Sequence, residues 1–191
     1  MKTIAHNVGT SALTSAFTYA LQTMKLDHAL LHYSGSTIAL PNETTEPDSV
    51  WDPRRAPPGH PKRPTVILEI TLSGSYARLS RDVEMWVDPA RGNVRVALAM
   101  KINRREPLVK LERYEWNAAS QESRRTQAIV MKKSKGQVTI FGAPLIIHFD
   151  ILFERTPKPT NRDIGINQAA LRQIAGDIWC AQNLSKAPIG L

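Results

Sequence analysis

The chain has 191 residues, 42% hydrophobic and 22% charged, which is ordinary composition for one well-cored folded domain and argues against both wholesale disorder and a membrane protein. No run of 18 or so apolar residues exists, so no membrane span is expected, and the single cysteine, Cys180, excludes an internal disulfide and a cysteine-rich zinc site. The net charge of +8 points towards polyanionic partners, nucleic acid above all.

The first twenty-odd residues carry one early lysine, and Thr, Ser, Asn and Gln break up their apolar residues, so neither a secretory signal nor an arginine-rich presequence is read there. With the lone cysteine this predicts an intracellular protein, in cytoplasm or nucleus. From about Ser11 to Tyr33, Leu13, Phe17, Ala20, Leu21, Met24, His28 and Leu31 recur at three- and four-residue steps, which predicts one amphipathic helix capped by Thr10 or Ser11.

Ser36 to Leu40 is a short strand candidate. Asn42 to Pro64 is rich in proline and leaves room for only a few extended residues around Ser49 to Trp51; a connection of that length predicts a functional loop. Thr65 to Leu72 reads as a strand covered on both faces. Ser73 or Ser75 caps a helix reaching about Val87 with Tyr76, Leu79, Val83 and Trp86 on its apolar face. After the turn DPARGN comes a second buried strand, Val94 to Ile102, and the strand, helix, strand series predicts a βαβ unit.

Further strands are expected at Leu108 to Trp116, Ala128 to Lys132, Gln137 to Phe141 and Leu145 to Phe153. A linker over Asn161 to Asn167 leads to a final helix, Gln168 to Gln182. The whole is an α/β fold: a mixed central sheet flanked by helices, with residues 1–160 as one core and residues 161–191 as a C-terminal linker and helix packing on the same domain.

Two features carry chemistry. Glu69 stands in the middle of an apolar strand, and an unpaired buried carboxylate costs several kcal/mol, roughly, so it needs a cation, a metal or a set of donors. Strand alternation puts Glu69 on one face with Ile67 and Thr71. Upstream, Glu46, Pro47 and Asp48 precede Val50 and Trp51; pairing of the two extended pieces brings Asp48 and Glu69 towards one divalent cation.

The order EPDSVW, a Pro/Arg-rich loop, PTVILEITLSGS, a helix ending in DVEMW, and VRVALAMKI resembles the PD-(D/E)xK superfamily, the restriction-endonuclease-like fold, and within it functionally uncharacterised fungal members. That resemblance implies Asp48 and Glu69 as ligands of Mg²⁺, or Mn²⁺, in a nuclease. Hard oxygen donors suit that ion. The motif's lysine, two residues after the glutamate, is Thr71 here, and Lys101 on the following strand is the candidate displaced lysine.

Arg54, Arg55, Lys62 and Arg63 in the proline-rich loop are the expected nucleic-acid contacts. Three alternatives stand beside this reading: a module that keeps the nuclease fold and binds nucleic acid without turnover, a protein-interaction domain, and a purely structural ion pair between Glu69 and Lys101. His28 and His32, four apart on the predicted first helix, are read as core or surface residues rather than zinc ligands, since HALLH lacks the glutamate of HExxH. Asp82 is read as a partner of Arg78. The oligomeric state leaves no trace in the sequence.

Overall fold

The computed structural model describes residues 3–41, 43–55, 63–72 and 76–183. Among these, no helix is long and apolar enough to cross a membrane. Helix α1 runs Ile4–Gln22, with the Thr3 hydroxyl accepting from the His6 amide at its N-cap. It ends earlier than the apolar spacing predicts, because Lys25 turns the chain at φ 57° and a short 3₁₀ turn, Asp27–Ala29, leads into β1, Leu30–Tyr33. The helical periodicity past Gln22 is overridden by pairing of β1 with β4, Ser49–Pro53. His28 and His32 are therefore not on one helix.

Between them lie the two-residue strands β2, Ile38–Ala39, and β3, Thr44–Thr45, which pair with each other. Strand β5, Val66–Leu72, pairs antiparallel with β4 and parallel with β6, Val96–Ile102. A parallel pair needs a crossover, and helix α2, Tyr76–Val87, supplies it; its expected capping serines, Ser73 and Ser75, lie outside the described residues. Strands β7, Leu108–Asn117, β8, Glu122–Ser134, and β9, Gln137–Phe141, complete the sheet as antiparallel neighbours. The resulting order is β1-β4-β5-β6-β7-β8-β9.

This is a mixed α/β sheet flanked by helices, as expected. One face carries α1 and the last helix, α4, Gln168–Ala181. There Leu13 and Phe17 share a core with Trp51, Leu68, Leu98, Leu111 and Ile178. The approach is close: a Cβ on Gly9 of α1 would lie 3.2 Å from the Met100 sulfur. The other face carries α2, whose Leu79, Val83 and Trp86 pack on Val50, Ile67, Ala97 and Ala99. Alternating β5 side chains thus enter two different cores, which explains the near-continuous apolar run.

Two predicted segments differ. The run Leu145 to Phe153 divides into β10, Leu145–Ile147, and a short helix α3, Phe149–Phe153, while the expected linker contains β11, Ile164–Ile166, paired with β10. The Asp163 carboxylate accepts from the Phe149 amide at 2.9 Å and stabilises that break. Strand β8 is also far longer than Ala128 to Lys132, so Arg124, Arg125 and Lys133 are strand residues too.

Candidate functional site

Strand register brings the two expected ligands together at one end of the β4–β5 pair. Ser49 faces Leu68, and the Asp48 amide donates to the Leu68 carbonyl at 3.1 Å, so Asp48 stands beside Glu69 where β4 begins. Their side chains then part. Asp48 is 8% exposed, and its Oδ2 accepts from the Ile70 amide at 2.7 Å and lies 3.0 Å from His6 Nε2 on α1. Glu69 turns to the opposite face, where its Oε1 accepts from the Trp86 indole N–H at 2.7 Å. Trp86 is fully buried, and it answers in part why a carboxylate stands in this strand.

The face shared with α2 is more polar than the sequence indicates. Thr71 pairs with Lys101 across the parallel ladder, and Lys101 pairs with Lys110 across the next. Lys101 Nζ sits 5.2 Å from the centre of the Tyr76 ring, at the start of α2. The Glu69–Lys101 ion pair of the structural alternative is not formed: Glu69 Oε1 accepts from the Trp86 indole and Lys101 Nζ rests over the Tyr76 ring. One row along, Ala99 separates Glu69 from Glu112, two strand spacings or about 10 Å between Cα atoms.

Glu112 is buried at 6% exposure and fully engaged: Arg125 donates to Oε1 at 2.7 Å, and the Tyr114 and Tyr76 hydroxyls donate to Oε2 at 2.9 and 3.4 Å. Burial pushes the Tyr114 phenol well above its ordinary range, and its bonds with Tyr76 and Glu112 push it further. A cavity of about 320 Å³ lined by Lys101, Asn103, Leu108 and Lys110 opens beside this group. Two like charges directly opposed on adjacent strands repel one another, so the Lys101–Lys110 pair gains when an anion enters.

Sequence reasoning missed His6, Lys110, Glu112, Tyr76, Tyr114 and Arg125 as members of this region. Glu112 and Tyr114 had a readable signal, since they are two apart on a strand whose alternate residues, Val109 and Leu111, are apolar. His6 had none, because only the packing of α1 brings it to β5.

The basic loop is elsewhere. Arg54 follows β4 at its far end, six residues from Asp48, or about 20 Å by strand rise, so Arg54 and Arg55 do not flank the carboxylates. Arg63 lies 3.3 Å from Glu154, which also holds Arg95 at 2.6 Å. Burial raises the Glu154 pKa, but the two guanidinium groups together hold it below the ordinary carboxylate range. Lys62 lies outside the described residues. Arg78 Nε is 3.8 Å from Asp82, in the structural pairing expected of it. His32 Nε2 is bound to the Ser49 hydroxyl at 2.6 Å, and burial lowers its pKa.

Among the described residues no three Asp, Glu, His or Cys side chains form a cluster able to hold a metal by themselves. Asp48 and Glu69 start from adjacent strand positions but turn to opposite faces, so one Mg²⁺ ion, commonly held by one or two carboxylates with waters and substrate phosphates filling its shell, would take both only after the two side chains swing towards each other.

No protein-family model and no curated protein matches the chain. Among solved structures it is similar to a nuclease candidate belonging to DUF820 from Anabaena variabilis, with 11% identity, 90% of this chain and 82% of that chain covered, and a TM-score of 0.46.

Proposed function

We propose that the chain is a nuclease-like domain of restriction-endonuclease type that hydrolyses phosphodiester bonds of nucleic acid with Mg²⁺ or Mn²⁺. Asp48 and Glu69 would hold the ion after turning from His6 and Trp86 towards one another, and Lys101 would stand in for the lysine that Thr71 replaces. The observation that carries this reading is the Thr71–Lys101 pairing. A lysine at position 71 would share the α2 face with Glu69, and Lys101 occupies that face one strand over, about 4.8 Å away at the backbone. The motif order supports the same assignment, including its likeness to fungal members of the superfamily.

The ion, when bound, supplies Lewis acidity to a phosphoryl oxygen and a water of lowered pKa. The protein's own groups do the rest. Lys101, steadied over Tyr76, places a positive charge where charge builds on the phosphate. Lys110 offers a second cation in the adjoining cavity for a neighbouring phosphate, a closer grip than Arg54 and Arg55 provide. Glu112, through Tyr76, positions the ring against which Lys101 rests.

Single-turnover cleavage of single-stranded and plasmid DNA tests this. Lys101→Met should slow cleavage by roughly 10²- to 10³-fold, the usual cost of one charge-stabilising group, and adding Thr71→Lys to that variant should restore most of the loss. Cleavage by Lys101→Met at the wild-type rate contradicts the role given to this lysine.

A second reading is favoured by a different observation: Asp48 Oδ2 is bound by His6 and the Ile70 amide, and Glu69 Oε1 by Trp86. Carboxylates tied into the scaffold in this way also suit a module that keeps the fold and binds nucleic acid or another protein without turnover. Metal binding separates the two readings.

A further inference from the structure

The far end of the sheet holds a second concentration of charge. Three chain segments meet there: Lys25 and His28 between α1 and β1, Arg54 and Arg55 after β4, and Arg155 and Lys158 after α3. They line a cavity of about 650 Å³ with Ala29, Pro53 and Phe153. That volume lies within the usual range of small-ligand sites. We propose that this cavity binds a multiply charged phosphate anion at a site separate from the carboxylates of the α2 face.

Charge balance is the first argument. Five permanent cations face the cavity, and among the described residues no salt bridge engages Lys25, Arg54, Arg55, Arg155 or Lys158. The acids at hand are already committed: Glu154 holds Arg63 and Arg95, and Asp27 lies 3.3 Å from His28. Crowding like charges in one concavity is unfavourable until an anion neutralises them. Five cations match a ligand with several negative charges better than a single carboxylate, and three of them are arginines, whose planar forks suit phosphate oxygens.

Preorganisation is the second. The Arg155 guanidinium rests 4.7 Å from the Phe149 ring centre and 5.3 Å from that of Phe153, so packing holds it in place before any ligand arrives. The Arg54 amide donates to the Ala29 carbonyl at 3.1 Å, which ties the β4 exit to the segment bearing His28. Rigid donors lose less entropy on binding.

Position is the third. The cavity opens at the opposite end of β4 from Asp48, and Phe153 and Ala29 belong to the core on the α1 face, whereas Glu69 and Lys101 face α2. Arg54 lies about 20 Å by strand rise from Asp48, and neither Glu69 nor Lys101 lines the cavity. The site is thus independent of the hydrolytic reading and needs no metal.

The test is calorimetric titration of inorganic pyrophosphate, in EDTA at low salt, into the whole chain and into two double variants: Arg54→Gln with Lys158→Gln, and Arg54→Glu with Lys158→Glu. The wild type should bind with an affinity that falls as salt rises, the neutral pair should bind roughly tenfold or more weakly, and the reversed pair should not bind. The neutral pair keeps the test decisive where the reversed pair misfolds. Competition by an oligonucleotide carrying a 5′-phosphate, and not by its 5′-hydroxyl form, assigns the site to a nucleic-acid terminus; competition by neither assigns it to a free phosphate anion. Absent binding by folded wild type, or equal affinity in the neutral pair, overturns the proposal. EDTA keeps either result apart from the fate of the Asp48–Glu69 reading.

Discussion

Replacing Asp48 by alanine strips the acceptor from two donors at once, the Ile70 amide at 2.7 Å and His6 Nε2 at 3.0 Å, in a place where Asp48 and His6 are 8% and 7% exposed. A buried amide left without a partner costs about 1–3 kcal/mol, and the lost imidazole bond adds about 1 kcal/mol, giving roughly 2–4 kcal/mol in all. For a chain of 191 residues each kcal/mol moves the midpoint by about 2–4 °C, so Asp48→Ala should melt roughly 5–15 °C below wild type. Asp48→Asn is the informative companion. Its Oδ1, placed where Oδ2 stood, still accepts from both the Ile70 amide and a His6 Nε2–H, as a weaker neutral acceptor, so the loss should stay near about 1 kcal/mol. Thermal melts with urea titrations give both numbers. An Asp48→Ala protein that melts within a degree or two of wild type would refute the His6–Asp48–Ile70 node and the structural half of Asp48's role.

Other consequences follow from particular contacts. A Cβ on Gly92 would fall 2.6 Å from Trp86 Cα and 2.9 Å from its carbonyl carbon, so Gly92→Ala must push back the residue that holds Glu69. It should cost about 1–3 kcal/mol and alter the near-ultraviolet circular dichroism; an unchanged spectrum and melt contradict the packing. Burial keeps the folded His32 pKa below its ordinary value, so the unfolded chain takes up this proton first as pH falls below about 6.5. Stability is then lost on going from about pH 7 to pH 5, by less than a fully buried imidazole would lose, because His32 is itself exposed. His32→Gln should show a shallower decline in urea midpoints over that range, and equal slopes count against it.

Much of the central sheet could be read in advance because its strands announce themselves on both faces. Thr65 to Leu72 and Val94 to Ile102 are mostly apolar, since their alternating residues enter two different cores. The same reasoning failed at Leu145 to Phe153, where a continuous apolar run has no period to separate strand from helix; the break comes from Asp163, a residue distant in sequence. Helical spacing beyond Gln22 was lost to the pairing of Leu30 with Pro53, a long-range contact that local pattern does not encode.

The site followed a similar division. Asp48 beside Glu69 is a matter of register and was accessible, as was Lys101 on the neighbouring strand. That Arg54 and Arg55 sit far from Asp48 also follows from strand length, for residues at the two ends of one strand do not serve one point. What no local pattern carries is the partner of each carboxylate: His6 reaches Asp48 through helix packing, and Trp86 reaches Glu69 because α2 folds back over β5.

The most direct measurement is calorimetric titration of Mn²⁺ into the wild type, Asp48→Asn and Glu69→Gln, with melts confirming that all three are folded. The account predicts binding to the wild type that is lost or strongly weakened in both variants, because each removes a negative hard-oxygen ligand and leaves the shape intact. Wild-type protein that takes up no Mn²⁺, or variants that bind it equally well, would contradict the metal site and leave Asp48 and Glu69 as parts of the scaffold.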